Sequence, residues 1–456
     1  MRGLQNSPCF FVYKKRLSSL LFGNNLFIEH QGVVNLEKFI ISGGLQLQGT
    51  AKIDGSKNSV LPILAAAVLA EEKCVIHDVP ALSDVFVMES LLIALGVKTK
   101  WNKRAKTMAI NSSIIENITA PYELAQKMRA SFLVTGPLLA KVGKVKMPLP
   151  GGCQIGARPV DLHIKGFAAM GAKVKSEHGY VYAYSRKLKG ANIYLDFPSV
   201  GATENIMMAA ATANGQTIIE NSAAEPEIVD LSNFLNSLGA DIRGAGTDTI
   251  KINGVKRLGG GSYTIIPDRI EAGTIMVAAA ITKGDVVIEN IVIDHLKPMI
   301  AKLKEAGVGV KEVKNGIRIY PNESGKLNPI DVKTMPYPGF PTDMQAQFMS
   351  LLTLAEGTSV VTETVFENRF MHVGELKRMG ADIKIESRSA VVEGVNALSG
   401  AQVKATDLRA GAAILLTALA AEGETEISDI YHIDRGYYRF DDKLRSLGAR
   451  IKRVKG

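Results

Sequence analysis

A cysteine sits in the middle of the run Pro148-Leu-Pro-Gly-Gly-Cys-Gln-Ile-Gly-Ala-Arg-Pro-Val-Asp-Leu-His163. Pro148, Pro150, Gly151, Gly152, Gly156 and Pro159 exclude regular structure over most of this stretch, so it reads as a surface loop able to bend and close. A glycine-flanked loop has little core to fill, and Cys153 is therefore read as a reactive thiol rather than a packing residue. Arg158 is close enough along the chain to favour its thiolate. Cys74, inside an apolar strand-like stretch, is read as small filler.

Basic residues also stand where Ala-rich apolar segments open. The openings read Gly55-Ser-Lys57-Asn58, Lys127-Met-Arg129, Ser199-Val-Gly201-Ala-Thr203, Asp268-Arg269-Ile-Glu271, Thr342-Asp343 and Asp407-Leu-Arg409. Ser, Thr, Asp and Asn are ordinary caps at such places. Lys and Arg are not, because a cation at a helix N-terminus opposes the dipole. Lys57, Arg129, Arg269 and Arg409 are expected to face an anionic ligand. If the helix starts gather at one end, their free N–H groups and these cations form an anion-attracting cleft.

The elements that must hold these residues repeat. Amphipathic segments end in a Leu/Met/Ala-Gly step and run into a short basic strand at Gly96, Gly171, Gly239, Gly307, Gly380 and Gly448. Ahead of each lies an Ala-rich apolar segment, and most of these, such as RIEAGTIMVAAAITKG or LRAGAAILLTALAAEG, are apolar on nearly every side, which a surface helix could not tolerate. β-branched strands such as TIIEN and VVIEN follow. The unit reads helix, strand, helix, strand, strand, with the glycine stopping the second helix. Three units fall in each half, so two domains are expected, as the length of 456 residues allows. Glu225, Glu227 and Asp230 are read as structural, and Lys173 and Lys175 as part of a solvated face.

Composition sets bounds. The chain is 46% hydrophobic and 22% charged, and no apolar run reaches the roughly 18 residues needed to span a bilayer, so no membrane partner is expected. Three scattered cysteines support neither a disulfide framework nor a CxxC metal site and fit a cytoplasmic protein, and the seven histidines lack metal-ligand spacing. The net charge of +9 is spread through the repeats without a basic block, which favours small polyanionic substrates over nucleic acid. Residues 1–35 stand outside the repeats and read as a disordered leader or a mis-assigned start.

From Leu36 onward the chain resembles the enolpyruvyl transferases, in particular their nucleotide-sugar branch. The motifs that carry the resemblance are GSKNSVLPI, LPGGCQIGARPVDLH, EPEIVD, PDRIEAGT, PTDMQAQ, FENRFMHV, DLRAGAA and HIDRGY. The resemblance implies an α/β fold of two inside-out α/β barrel domains, each of three repeated units with buried helices and outer sheets. Residues 36–56 plus 267–456 would form one domain, and 57–266 the other, carrying the Cys153 loop. It also implies transfer of the enolpyruvyl group of phosphoenolpyruvate to the 3′-hydroxyl of UDP-N-acetylglucosamine, with loss of phosphate and without cofactor or metal.

By the same resemblance Cys153 is the proton donor to C3 and Asp343 the base. Lys57, Arg129, Arg158 and Arg435 hold phosphate and carboxylate, with Arg369 and Arg409 as further cations. Asn58, Arg129, Pro159, Ser199, Val200, Asp343 and Val365 grip the nucleotide sugar. Leu133 and Phe197 depart from residues that some members carry, which bears on nucleotide affinity. The shikimate-pathway member of the family is the enzymatic alternative, disfavoured by Cys153 within its motif and by FENRF and HIDRGY. A silent nucleotide-sugar-binding relative is the non-enzymatic one.

Overall fold

The computed structural model describes residues 37–150 and 159–455, so Cys153 and Arg158 lie outside the described residues, as does the leader expected at 1–35. The fold is α/β and the repeat is visible throughout. In one copy the buried helix Val200–Ala210 leads to strand Gln216–Glu220, the outer helix Pro226–Ser237 and strands Asp241–Arg243 and Thr249–Asn253. The three strands pair antiparallel, with Ile219 opposite Ile250 and Ile242 opposite Ile252. All six glycines that close the repeats have positive φ, between 84° and 103°, the left-handed conformation expected where a helix must turn directly into a strand.

The described residues form five sheets of four strands and one of three. The fourth strand, absent from the sequence-based unit, is a short parallel one borrowed from the preceding repeat: Asn192–Tyr194 lies beside Gln216–Glu220, and Val332–Lys333 beside Thr358–Thr362. One return of the chain completes each series. Gly261–Thr264 pairs with Cys74–His77, and the N-terminal strand Gln48–Lys52 pairs with Asp285–Glu289. Strand Glu37–Ser42 joins the last repeat, with Phe39 opposite Ile427.

Buried apolar side chains fall into two clusters, one drawn from 60–265 and the other from 39–53 with 270–451. In the second, helices Arg269–Ile281, Gln345–Leu352 and Leu408–Ala420 pack on one another. In the first, Thr135–Val142 packs against Val200–Ala210 so closely that a side chain at Gly136 would collide with the Asn205 backbone, while the Gly136 N–H donates to Asn205 Oδ1 at 2.7 Å. Cys74 is buried in its strand, and burial pushes its thiol up to about 11, consistent with inert filler. No described helix is long and apolar enough to cross a membrane.

Two chain crossings join the cores side by side. Ser56 N–H donates to Ile266 O at 2.8 Å, and Asp268 N–H to Asp54 O at 2.9 Å. Asp268 then caps Arg269–Ile281 by accepting from Ile270 and Glu271 N–H, and its second oxygen accepts from Lys57 N–H at 3.0 Å. One carboxylate therefore ties together the first turns of two buried helices, one from each core.

Candidate active site

Lys57 opens helix Lys57–Ala66, whose cap Ser56 accepts from Ser59 N–H. Its ammonium lies 3.1 Å from Asp84 Oδ2. The same carboxylate receives Arg435, from the opposite core, through Nε at 2.9 Å and Nη2 at 3.4 Å. Burial opposes ionisation of Asp84, but Lys57 and Arg435 outweigh it and hold the carboxyl below its usual range. The Asp84 side chain is 3% exposed, against 14% for Lys57 and 35% for Arg435, so the two cations extend from a hidden anion toward solvent.

A second carboxylate also gathers two cations. Asp343 sits in the turn Thr342–Met344 that leads into Gln345–Leu352, and Gln347 Nε2 donates to its backbone carbonyl at 2.9 Å. Oδ1 accepts from Arg369 Nη2 at 2.7 Å, and Oδ2 from Arg409 Nη2 and Nε at 2.9 and 3.2 Å. Burial would raise the carboxyl's pKa, but the guanidiniums of Arg409 and Arg369 dominate and hold it well below the carboxylate range. Exposure is reversed here: the Asp343 side chain is 26% exposed and both arginines are 5%.

The supports of this second cluster were not apparent in the sequence. Glu363, fully buried, accepts from Thr334 Oγ1 (2.8 Å), Thr342 Oγ1 (2.7 Å) and the N–H groups of Val365 (2.7 Å) and Phe366 (3.1 Å). Thr342 in turn receives Arg369 Nη1 at 2.8 Å. Tyr437, equally buried, lies with its ring under the Arg409 guanidinium and its hydroxyl 3.0 Å from Thr274 Oγ1. Among the described residues Arg369 Nε and Arg409 Nη1 are buried without an acceptor.

Arg129 opens the turn Arg129–Val134 and lies within electrostatic reach of His163, whose pKa is lowered to about 4 by burial and by that charge. Neutral His163 meets Asn205 Nδ2 at 3.0 Å. Ser199 caps Val200–Ala210 by accepting from Ala202 N–H. Asn58, Val200 and Val365 are part-buried, while Pro159 is exposed beside the undescribed loop segment. Leu133 is core and Phe197 is exposed.

Arg269 requires a correction. Its expected anion is supplied by the protein: Nε and Nη2 donate to Glu227 at 3.0 and 3.2 Å, with both side chains buried. Glu227, read as structural, is the partner of a helix-start cation in the other core. Asp84 and Asp343 pair with the helix-start cations Lys57 and Arg409 within a single core each. Sequence reasoning recognised that these cations needed anions but not that carboxylates distant in the chain provide them. Nearby, burial and then Glu227 and Glu225 push Glu204 well above the usual carboxyl range.

The chain matches the model of the EPSP synthase (3-phosphoshikimate 1-carboxyvinyltransferase) family over residues 41–444. It is 59% identical over 416 residues to UDP-N-acetylglucosamine 1-carboxyvinyltransferase 1 of Caldanaerobacter subterraneus subsp. tengcongensis, covering 91% of this chain and 99% of that protein. It is 58% identical over 419 residues to UDP-N-acetylglucosamine 1-carboxyvinyltransferase 2 of Carboxydothermus hydrogenoformans, covering 92% and 100%. Among solved structures, the enolpyruvyl transferase NikO from Streptomyces tendae is similar with a TM-score of 0.84 at 25% identity, over 92% of this chain and all of that one. EPSP synthase from Acinetobacter baumannii, at 21% identity and a TM-score of 0.72 over the same shares, is alike in fold. The family match over residues 41–444 and 58–59% identity over more than nine-tenths of the chain agree: the chain is a member of the EPSP synthase family of enolpyruvyl transferases.

Proposed function

We propose that the protein transfers the enolpyruvyl group of phosphoenolpyruvate to the 3′-hydroxyl of UDP-N-acetylglucosamine with release of phosphate, the entry step of peptidoglycan precursor synthesis in the cytoplasm. The observation that carries the choice of acceptor is the whole-length relationship to proteins named for that reaction, far closer than the likeness to EPSP synthase. The two cores are read as two inside-out barrel domains, 36–56 plus 267–456 and 57–266, that close on the substrates.

The geometry supports a division of labour. Lys57 and Arg435, both more exposed than the Asp84 between them, suit the phosphate of phosphoenolpyruvate; Arg129 and Arg158 are assigned to the same anion by the family resemblance alone. Arg369 and Arg409 hold Asp343 and add positive charge behind it on the phosphoenolpyruvate side. Asn58, Pro159, Ser199, Val200 and Val365 line the sugar-nucleotide side. Cys153 delivers a proton to C3, the 3′-hydroxyl adds to C2, and a phosphorylated tetrahedral intermediate forms. Loss of a C3 proton then expels phosphate and restores the double bond.

Asp343, clamped by two guanidiniums, is a weak base but a permanent carboxylate. That suffices, because the hydroxyl proton becomes strongly acidic as its oxygen bonds to the electron-poor C2. Phosphate release from phosphoenolpyruvate, measured with UDP-N-acetylglucosamine and separately with shikimate 3-phosphate, tests the reading. Release with the sugar nucleotide alone is expected. Release with shikimate 3-phosphate alone would transfer the assignment to the other branch, and release with neither would remove the enzymatic reading.

A further inference from the structure

We infer that Asp84 is a positioning residue for the phosphate half-site: it assembles Lys57 and Arg435, which come from different cores, into one bicationic surface. The inference rests on the proposal that these two cations bind phosphoenolpyruvate.

An acid in the first turn of a helix, as Asp84 is in Ser83–Ala94, is usually explained by the dipole or by capping. Neither accounts for this one. The position before the helix, Leu82, carries no side-chain cap, and the Asp84 carboxylate pairs with cations brought from elsewhere, Lys57 from the start of another helix and Arg435 from 351 positions along the chain. Its sequence neighbours Leu82, just before the helix, and Val85 and Met88 within it are all buried. A carboxylate hidden among apolar side chains is tolerated only when it is paired, so Asp84 holds both partners firmly. A second tie lies beside it: Ser83 Oγ donates to Asp434 O at 3.4 Å, so residues 83–84 of one core meet 434–435 of the other.

Two cations drawn to one site from separate cores repel each other. With one carboxylate between them the repulsion is offset, yet a net positive charge remains for an anion. Because the anion is hidden and the cations are the more exposed, the cluster presents its positive side outward. Asp84 therefore sets how near residue 435 comes to residue 57, and acts on the reaction through them without touching substrate.

The test is steady-state kinetics of the full chain with Asp84→Asn, Arg435→Ala and the double variant, with Asp84→Glu as the charge-retaining control. Asp84→Asn should raise KM for phosphoenolpyruvate at least tenfold and leave KM for UDP-N-acetylglucosamine within twofold. Asp84→Glu should recover part of the loss, and the double variant should be no more than about threefold worse than the worse single one, since the two residues act through each other. Arg435→Ala raising KM for phosphoenolpyruvate while Asp84→Asn leaves it unchanged, or losses that multiply fully in the double variant, would overturn the role of Asp84. If Arg435→Ala itself leaves that KM unchanged, the assignment of Arg435 to phosphoenolpyruvate fails and the inference falls with it. A general loss of fold by Asp84→Asn would raise both KM values or lower only the amount of active enzyme, and Asp84→Glu at equal melting temperature then decides the matter: no selective effect on phosphoenolpyruvate would overturn the role.

Discussion

The clusters around Asp84 and Asp343 are built from the same parts, one carboxylate and two cations, and are turned inside out relative to each other. Around Asp84 the anion is hidden and the cations are the more exposed; around Asp343 the cations are hidden and the carboxylate is the more exposed. Packing alone decides which charge a ligand meets. The first arrangement offers positive charge and suits a phosphate, while the second offers an oriented carboxylate and suits a hydroxyl. Arg269 with Glu227 is the third case, in which both charges are buried and neither is offered.

Asp343→Asn should have the largest effect. It removes the presented charge and leaves Arg369 and Arg409 without their shared anion, so kcat should fall about 10²–10⁴-fold, with a smaller change in KM for phosphoenolpyruvate. Single-turnover and steady-state rates measure this; a variant that loses affinity but keeps kcat would erase the contrast with the Asp84 cluster. Glu227→Gln strips the anion from a fully enclosed pair and should destabilise the fold by about 3–5 kcal/mol in denaturant melts, while both KM values stay put. A selective rise in one KM would mean that Arg269 is presented after all.

Lys57→Met removes one cation of the first cluster. KM for phosphoenolpyruvate should rise roughly 10–100-fold, the worth of one charge-assisted hydrogen bond of about 1.5–3 kcal/mol, with UDP-N-acetylglucosamine little affected. The smallest effect concerns His163, whose pKa is lowered to about 4 in the fold from an ordinary 6.5. A base with a depressed pKa contributes stability above 6.5 that is lost as pH falls from there toward 4. Unfolding curves of His163→Gln should therefore lose that part of their decline, and an unchanged profile would mean that the imidazole titrates normally.

Much of the scaffold was legible because it depends on local rules. Six glycines at the ends of amphipathic helices need positive φ, and helices apolar on every side need burial; both follow from short stretches of sequence. The parallel fourth strands were missed because pieces as short as Val332–Lys333 carry no periodicity and exist only where a neighbouring repeat offers an edge. Of the site, Lys57, Arg129, Asp343 and Arg409 stood out as charged residues at helix starts, whereas Asp84, Glu363 and Tyr437 did not. Their significance lies in partners such as Arg435, 351 positions from Asp84, or Arg369 reaching Asp343 through the Thr342 turn.

The sequence by itself determined the repeat, the α/β class, the family and which cations demanded an anion, since each depends on residue type and near-neighbour spacing. Only the tertiary structure decided which anion each cation received and which partner of each pair was hidden. Those outcomes depend on desolvation and on distances between segments from different cores, quantities that exist only once the cores have packed against each other.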